Sequence, residues 1–330
     1  MTQDKVLRAF EVFQNAVELL HEDVKTSYLE AMAETLQNCV YDYKAQQIDG
    51  LPSSQTLNAL DGHYTELKAF SLDATQWRKV IQFTFLNAIK NDNIQANHHI
   101  TPDTIGNLLL YFIQQLVKSD IRLLDITAGA GNLVTLLSEG LKERLVHATA
   151  FEVDDVLVSL LAMSSQLQNQ LIDIKHQDAV LPLLTSTVNV VASDLPIGYY
   201  PKDDVAKEYQ VSVSKEHTYA HHLLIENALN HLEDNGWAFF IVPSNVFDTN
   251  QAPQLLALLT QQDYFMQAFL TLPKTLFKQE SAQKAILMVQ RNGERAKKAD
   301  QVLLGEIPSF KDVRAMQGFV ERFSKWASQF

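Results

Sequence analysis

Past residue 100 the hydrophobic pattern changes from helical spacing to short apolar runs separated by helix-length stretches, and few folds accommodate that change. The runs are Ile121 to Ile126, Ala148 to Val153, Leu171 to His176, Val188 to Ala192 and Trp237 to Val242. Strands that alternate with helices predict an α/β sheet of mostly parallel order. Two further runs, Met266 to Leu272 and Ala285 to Gln290, lie close enough in sequence for an antiparallel pairing at the sheet edge. A helix over Asp103 to Lys118 is expected ahead of the first strand.

Residues 1–95 carry little strand signal. Val6, Phe10, Val17 and Leu20 recur on one helical face and Tyr28, Met32, Leu36 and Val40 on another. Asp49 to Ser54 is a loop by its turn residues, and Asp73 to Trp77 begins the helix that carries Val80, Ile81, Phe83, Phe85 and Ile89. The expected organisation is an all-helical domain over 1–95 and an α/β domain over 96–330. Near the end, a helix with Val313, Met316, Val320, Phe323 and Trp326 on one side is expected to pack that stripe into the core.

Bulk properties narrow the function classes. The chain has 330 residues, 46% apolar, enough for a large core and an accessory unit. Its formal charge is -12, from 27 basic and 39 acidic residues, so the mean field repels a phosphate backbone and DNA contact needs a local basic patch. The single cysteine, Cys39, allows no intrachain disulfide and fits a reducing cytoplasm. The charged N-terminus is not a secretory signal, and no segment approaches the roughly 20 apolar residues that cross a bilayer. No membrane association is expected.

The turn after the first strand reads Asp125-Ile-Thr-Ala-Gly129-Ala-Gly131. Glycine lets main-chain N–H groups and a helix N-terminus come close to a ligand. The third glycine of a dinucleotide fingerprint and the Gly-Lys-Ser/Thr of a P-loop are both missing. A ligand ammonium therefore suits Asp125 better than a phosphate does. Glu152, just past the second strand, offers two acceptor oxygens for the hydroxyls of a ribose; a solvated strand-end acid is the other reading. Asp178 is placed to accept from an adenine amino group or, equally, to cap a helix.

The fourth apolar run leads into Asp194-Leu195-Pro196-Ile197-Gly198-Tyr199-Tyr200-Pro201. A carboxylate before a proline-stiffened turn can aim its side chain and a main-chain carbonyl at one planar amino group. With these motifs together the chain resembles the class I S-adenosylmethionine-dependent methyltransferases related to N6-adenine-specific DNA methylases, more narrowly a Gram-positive group with Asp-Leu-Pro-x-Gly-Tyr-Tyr-Pro. His99 to Pro102, Leu232 to Ser244 and Phe277 to Val289 extend the likeness over roughly residues 95 to 290.

The resemblance implies a Rossmann-like seven-stranded sheet with S-adenosylmethionine as cofactor. Asp125, Thr127, Ala128, Gly129, Gly131, Asn132 and Leu133 would hold its methionine part. Glu152 and Val153 would take the ribose, and Asp178 and Ala179 the adenine end. Thr101 and Pro102 would close over it, and Asp194, Leu195 and Pro196 would receive the amino group to be methylated, adenine N6 in DNA.

Two departures stand out. Leu195 replaces the first proline of the family's Pro-Pro, and Ile197 replaces the aromatic residue that stacks on a flipped base, a contact worth about 1–3 kcal/mol. Tyr199 or Tyr200 could serve instead. About forty residues follow the final strand pair, too few for a separate target-recognition domain, and the helices of 1–95 are more acidic than basic. A sequence-specific restriction partner is thus not expected.

No metal site is expected: the His98-His99 and His221-His222 pairs lack further ligands at regular spacing, and methyl transfer from a sulfonium needs none. Ser244 lacks a nucleophile-elbow context, and Arg295 to Lys298 reads as a solvated loop. Two competing readings remain, a non-catalytic S-adenosylmethionine-binding module with an altered substrate site and a nicotinamide-dependent oxidoreductase.

Overall fold

The computed structural model describes residues 2–91 and 100–330; the His98-His99 pair lies outside the described residues. In chain order the elements are α1 (Thr2–Val24), α2 (Tyr28–Val40), α3 (Ser54–Phe70), α4 (Ala74–Asn91), α5 (Asp103–Leu116), β1 (Ile121–Asp125), α6 (Asn132–Leu141), β2 (Leu145–Glu152), α7 (Asp155–Leu167), β3 (Ile172–His176), β4 (Val188–Asp194) and α8 (Asp203–Ala206). They continue with α9 (Ala220–Asn230), β5 (Leu232–Pro243), α10 (Ala252–Leu259), β6 (Tyr264–Thr271), β7 (Lys284–Arg291), β8 (Leu303–Glu306) and α11 (Val313–Ala327). Two compact units result, one of Met1–Asp103, Ala128–Glu139 and Glu152–His176, the other of Thr104–Thr127, Gly140–Phe151 and Gln177–Phe330.

In the first unit the helix starts are written in local polar chemistry. Ser27 Oγ accepts from Glu30 N at 3.2 Å while Glu30 returns a bond to Ser27 N at 2.9 Å, a reciprocal cap on α2. Asp73 and Gln76 form the same pair at the start of α4, at 2.9 and 3.2 Å. The apolar faces then meet: Phe13, Leu20, Met32, Leu36, Leu60, Tyr64, Val80 and Phe85 are buried in one cluster that also takes in Leu157 and Leu160 of α7. Each such side chain contributes about 1.5–3 kcal/mol relative to exposure, so α7 shares one core with the N-terminal helices.

The strands are ordered β3-β2-β1-β4-β5-β7-β6-β8 in one sheet. β1 runs parallel to β2 and β4, and β4 parallel to β5, whereas β7 is antiparallel to both β5 and β6. The β6–β7 pairing matches the expected antiparallel pair. The chain's direction of travel across the sheet reverses between β1 and β4, and open α/β sheets bind ligands outside the carboxyl ends of strands at such a point.

Two expectations are corrected. The sheet has eight strands rather than seven: β8 adds to β6 in parallel, with Ala268 opposite Leu303 and Thr271 opposite Glu306. Its four residues, Leu-Leu-Gly-Glu, are mostly exposed and lack the apolar alternation that marks a strand. On α11 the buried face is Phe319, Phe323 and Ala327, while Val313 and Val320 are exposed. Phe323 of the expected stripe does pack into the core, on Phe112 with ring centroids 4.4 Å apart, and the buried face runs from it through Phe319 and Ala327.

Candidate functional site

In the first unit, the turn after β1 is shaped by two glycines in the left-handed region, Gly129 at φ +57° and Gly131 at φ +90°. A Cβ on Gly131 would lie 2.3 Å from Leu161 Cδ1, so only glycine lets α6 begin against α7. Beside Gly129 a Cβ would meet no atom within 4 Å, which leaves open space over the turn. Glu152 ties this turn to the end of β2. Its Oε2 accepts from Gly129 N at 2.8 Å, and its Oε1 accepts from Val153 N at 2.8 Å and Asp154 N at 2.9 Å. Val153 is exposed beside it. Asn132, the first residue of α6, donates to the Thr101 carbonyl at 2.6 Å, and Thr101 is buried while Pro102 is exposed. Ala128 and Leu133 are buried in the same turn.

In the second unit, the carboxyl ends of β1 and β4 are joined by hydrogen bonds. Asp125 is 1% exposed and its Oδ1 accepts from Thr127 N at 3.2 Å. Thr127 Oγ1 donates to the Asp194 carbonyl at 3.1 Å, and Ile126 N donates to Ser193 Oγ at 2.9 Å. Leu195 N donates to the Ile241 carbonyl at 3.0 Å, extending β4 along β5. The Leu195 side chain turns into the apolar core, which accounts for an aliphatic residue at that position. Ile197 is exposed.

Asp194 Oδ1 accepts from Lys284 Nζ at 2.5 Å. Registers explain the meeting: Asp194 sits opposite Ile241 across β4–β5, and Lys284 opposite Pro243 across β5–β7. The sequence gives no local sign of this pair, because its members are ninety residues apart.

The two tyrosines of the motif separate. Tyr200 is buried and its hydroxyl donates to Asp178 Oδ2 at 2.9 Å; burial first, then this carboxylate, pushes its pKa up. Asp178 Oδ1 accepts from Val180 N at 3.0 Å, with Lys202 at 3.4 Å from Oδ2. Asp178 thus closes a turn, and no helix starts there, which removes the helix-cap alternative. Ala179 is buried, and its carbonyl accepts from Asn227 at 2.7 Å.

Tyr199 instead is 52% exposed, with one face lying on Tyr219 at 4.7 Å between centroids and 11° between planes. Antiparallel main-chain bonds, Tyr200 N to Thr218 O at 2.8 Å and Ala220 N to Gly198 O at 2.9 Å, set the two rings together. Tyr219 continues onto His221 at 5.1 Å, and His222 meets His221 edge-on at 4.8 Å. His221 donates to the Pro196 carbonyl, so the ladder braces the motif from behind. Burial pushes His221 down to about 4, and burial with the neighbouring His221 pushes His222 down to about 3. Tyr199 borders a groove of about 430 Å³ that also involves Asp203, Lys207, Lys215, Glu216 and His217.

Sequence reasoning missed Lys284, Tyr219 and the bracing role of His221. Among the described residues no three His, Cys, Asp or Glu side chains gather as a metal site, and no helix is long and apolar enough to cross a membrane.

Comparison with known proteins agrees with this architecture. The YtxK N-terminal helical domain profile matches residues 8–89, and the N-6 DNA Methylase profile matches residues 84–317. The uncharacterized protein YtxK of Bacillus subtilis (strain 168) is 32% identical over 329 residues, which cover 99% of this chain and 98% of that one. A crystal structure from Listeria monocytogenes (lmo1582), assigned to the class I S-adenosylmethionine-dependent methyltransferases, superposes with TM-score 0.89 at 30% identity, covering 98% of this chain and 99% of that one. The methyltransferase subunit of a type I restriction-modification system from Streptococcus thermophilus shares the fold, with TM-score 0.64 at 14% identity over 95% of this chain and 74% of its own. With a family profile spanning most of its length and full-length relatives at this identity, the chain belongs to the N-6 DNA Methylase family and has that family's methyltransferase fold.

Proposed function

We propose that the protein is an S-adenosylmethionine-dependent methyltransferase that acts on an exocyclic amino group of a planar acceptor, adenine N6 in DNA by kinship. The observation that carries the reading is the corner at the end of β4. There Asp194, held by Lys284 and by the Thr127 bond to its carbonyl, precedes a turn whose one exposed aromatic face is Tyr199.

The residues fit the cofactor. Gly129 leaves open space over a left-handed turn, exposed Val153 offers an apolar surface, and Glu152 Oε2, with one amide partner against two on Oε1, keeps a second acceptor direction for a ribose hydroxyl. Asp125, Thr127, Ala128, Asn132 and Leu133 would shape the turn, Thr101 and Pro102 the segment that closes it, and Asp178 and Ala179 the adenine end. When bound, that cofactor supplies an electrophilic methyl group. The chain's part is to orient the acceptor: the Asp194 carboxylate and the Leu195 carbonyl accept the two N–H bonds, which turns the nitrogen lone pair outward. Pro196 stiffens this corner, and Tyr199 stacks on the acceptor ring. Residues 1–95 form the helical domain and 96–330 the methyltransferase domain of this cytoplasmic enzyme.

A second reading, a binding module without transfer, is favoured by one contact: Lys284 already occupies an oxygen of the carboxylate that would receive the amino group. One experiment separates them. Calorimetry with S-adenosylhomocysteine is run on wild type and Gly129→Leu, followed by transfer of labelled methyl to unmethylated genomic DNA by wild type and Asp194→Ala. Binding lost in Gly129→Leu and transfer lost in Asp194→Ala support the enzyme. Binding without transfer to DNA, RNA or protein supports the module, and no heat at millimolar ligand overturns both.

A further inference from the structure

We infer that Arg78 is a positioning residue through which the N-terminal helices control the cofactor turn. This rests on the reading of that turn as the cofactor site. Arg78 lies on α4 with its side chain 13% exposed, and its Nη1 donates to Asp103 Oδ1 at 2.5 Å. Gln82, one helical turn on, donates to the same oxygen at 3.3 Å. The third donor is Asn132 Nδ2, also at 3.3 Å, whose main bond is to the Thr101 carbonyl at 2.6 Å. One carboxylate oxygen therefore gathers two donors from the helical region and one from the residue that directly follows Gly131.

The arrangement differs from an ordinary surface ion pair, which contributes little. The guanidinium is nearly buried, Asp103 sits in the first turn of α5 where the helix dipole favours a carboxylate, and charge-assisted bonds are the strong ones. The pocket between Arg78, Ile81, Phe85, Asn132 and Thr135 holds only about 10 Å³, room for about one water. Close-packed interiors transmit strain rather than absorb it. With Arg78 removed, Asp103 loses this ion pair, the acceptor beside Asn132 is less fixed, and the hold of the Asp103 end of the segment on the start of α6 loosens. The helical region is thus a latch on the turn that carries Gly129 and Gly131.

The test uses the full chain. Calorimetric Kd for S-adenosylhomocysteine, hydrogen exchange without ligand and thermal midpoint are measured for wild type, Arg78→Gln, Arg78→Lys, Gln82→Ala and, as a control on the exposed side of α4, Lys79→Gln. Arg78→Gln is expected to weaken binding about tenfold and to speed amide exchange at 101, 103 and 129–133. Arg78→Lys should recover most of both, Gln82→Ala should show a smaller change of the same sign, and Lys79→Gln none. Wild-type Kd and wild-type exchange in folded Arg78→Gln overturn the inference, as does a loss spread evenly over the whole chain. If Arg78→Gln fails to fold, Gln82→Ala and Arg78→Lys decide by the same local exchange. Faster exchange at these amides with no ligand binding even by wild type would keep the latch and sink the cofactor reading.

Discussion

Lys284 Nζ lies 2.5 Å from Asp194 Oδ1, so the first residue of β7 supplies the counter-ion to the last residue of β4. Lys284 fixes which way the carboxylate points, and Lys284→Met should lower kcat/KM for the methyl acceptor about tenfold or more while the Kd of S-adenosylhomocysteine stays unchanged. Lys284→Arg should restore part of the rate. Unaltered transfer by Lys284→Met would show the pair to be incidental.

The close approach of α6 and α7 at Gly131 gives a second prediction. Gly131→Ala places a Cβ 2.3 Å from Leu161 Cδ1 on a backbone at φ +90°, and should cost about 1–3 kcal/mol in urea unfolding. Leu161→Ala in the same chain relieves the overlap but not the dihedral strain, so the double variant should lose less than the sum of the two. Strict additivity would contradict this account.

Buried neutral histidines set a pH dependence. His221 and His222 ionise near 6.5 in an open chain and only near about 4 and about 3 when folded. The unfolded chain therefore takes up protons first as pH falls. The stability these rings contribute is complete above about 6.5 and declines below it, to about 4 for His221 and about 3 for His222, by about 1.4 kcal/mol per pH unit for each ring. Unfolding free energies at pH 7.5 and 5.5 measure the slope, which His222→Leu should reduce. Equal slopes in the two proteins would refute the assignment.

Tyr199 carries its own test. Because Tyr219 covers one ring face and leaves the other open, Tyr199→Ala should reduce kcat/KM for a base acceptor about tenfold, with Tyr199→Phe close to wild type. If Tyr199→Phe fails as badly as Tyr199→Ala, the hydroxyl rather than the face is what matters.

Local chemistry made much of this legible beforehand. Strand runs bounded by turns marked β1 to β5 and their mostly parallel sense but not their order in the sheet, and the acid-glycine turn and the Asp194 motif marked the strand ends where the reversal of order falls. Lys284 and Arg78 were not readable, because their partners lie far along the chain and only strand register or helix packing joins them. The roles of Tyr199 and Tyr200 were equally hidden: adjacent and identical, they part only because the Thr218 to Ala220 segment pairs alongside and turns one ring onto Tyr219 and the other toward Asp178. β8 escaped because an exposed edge of four residues needs no apolar alternation.

Leu157 and Leu160 sit on α7 yet are enclosed by side chains from the first ninety residues. A cut at the family profiles' shared border would strip the cover from that helix just beyond Glu152 and wet an aliphatic face. The C-terminal piece should clump rather than dissolve, so a version cut there should not report on the cofactor chemistry.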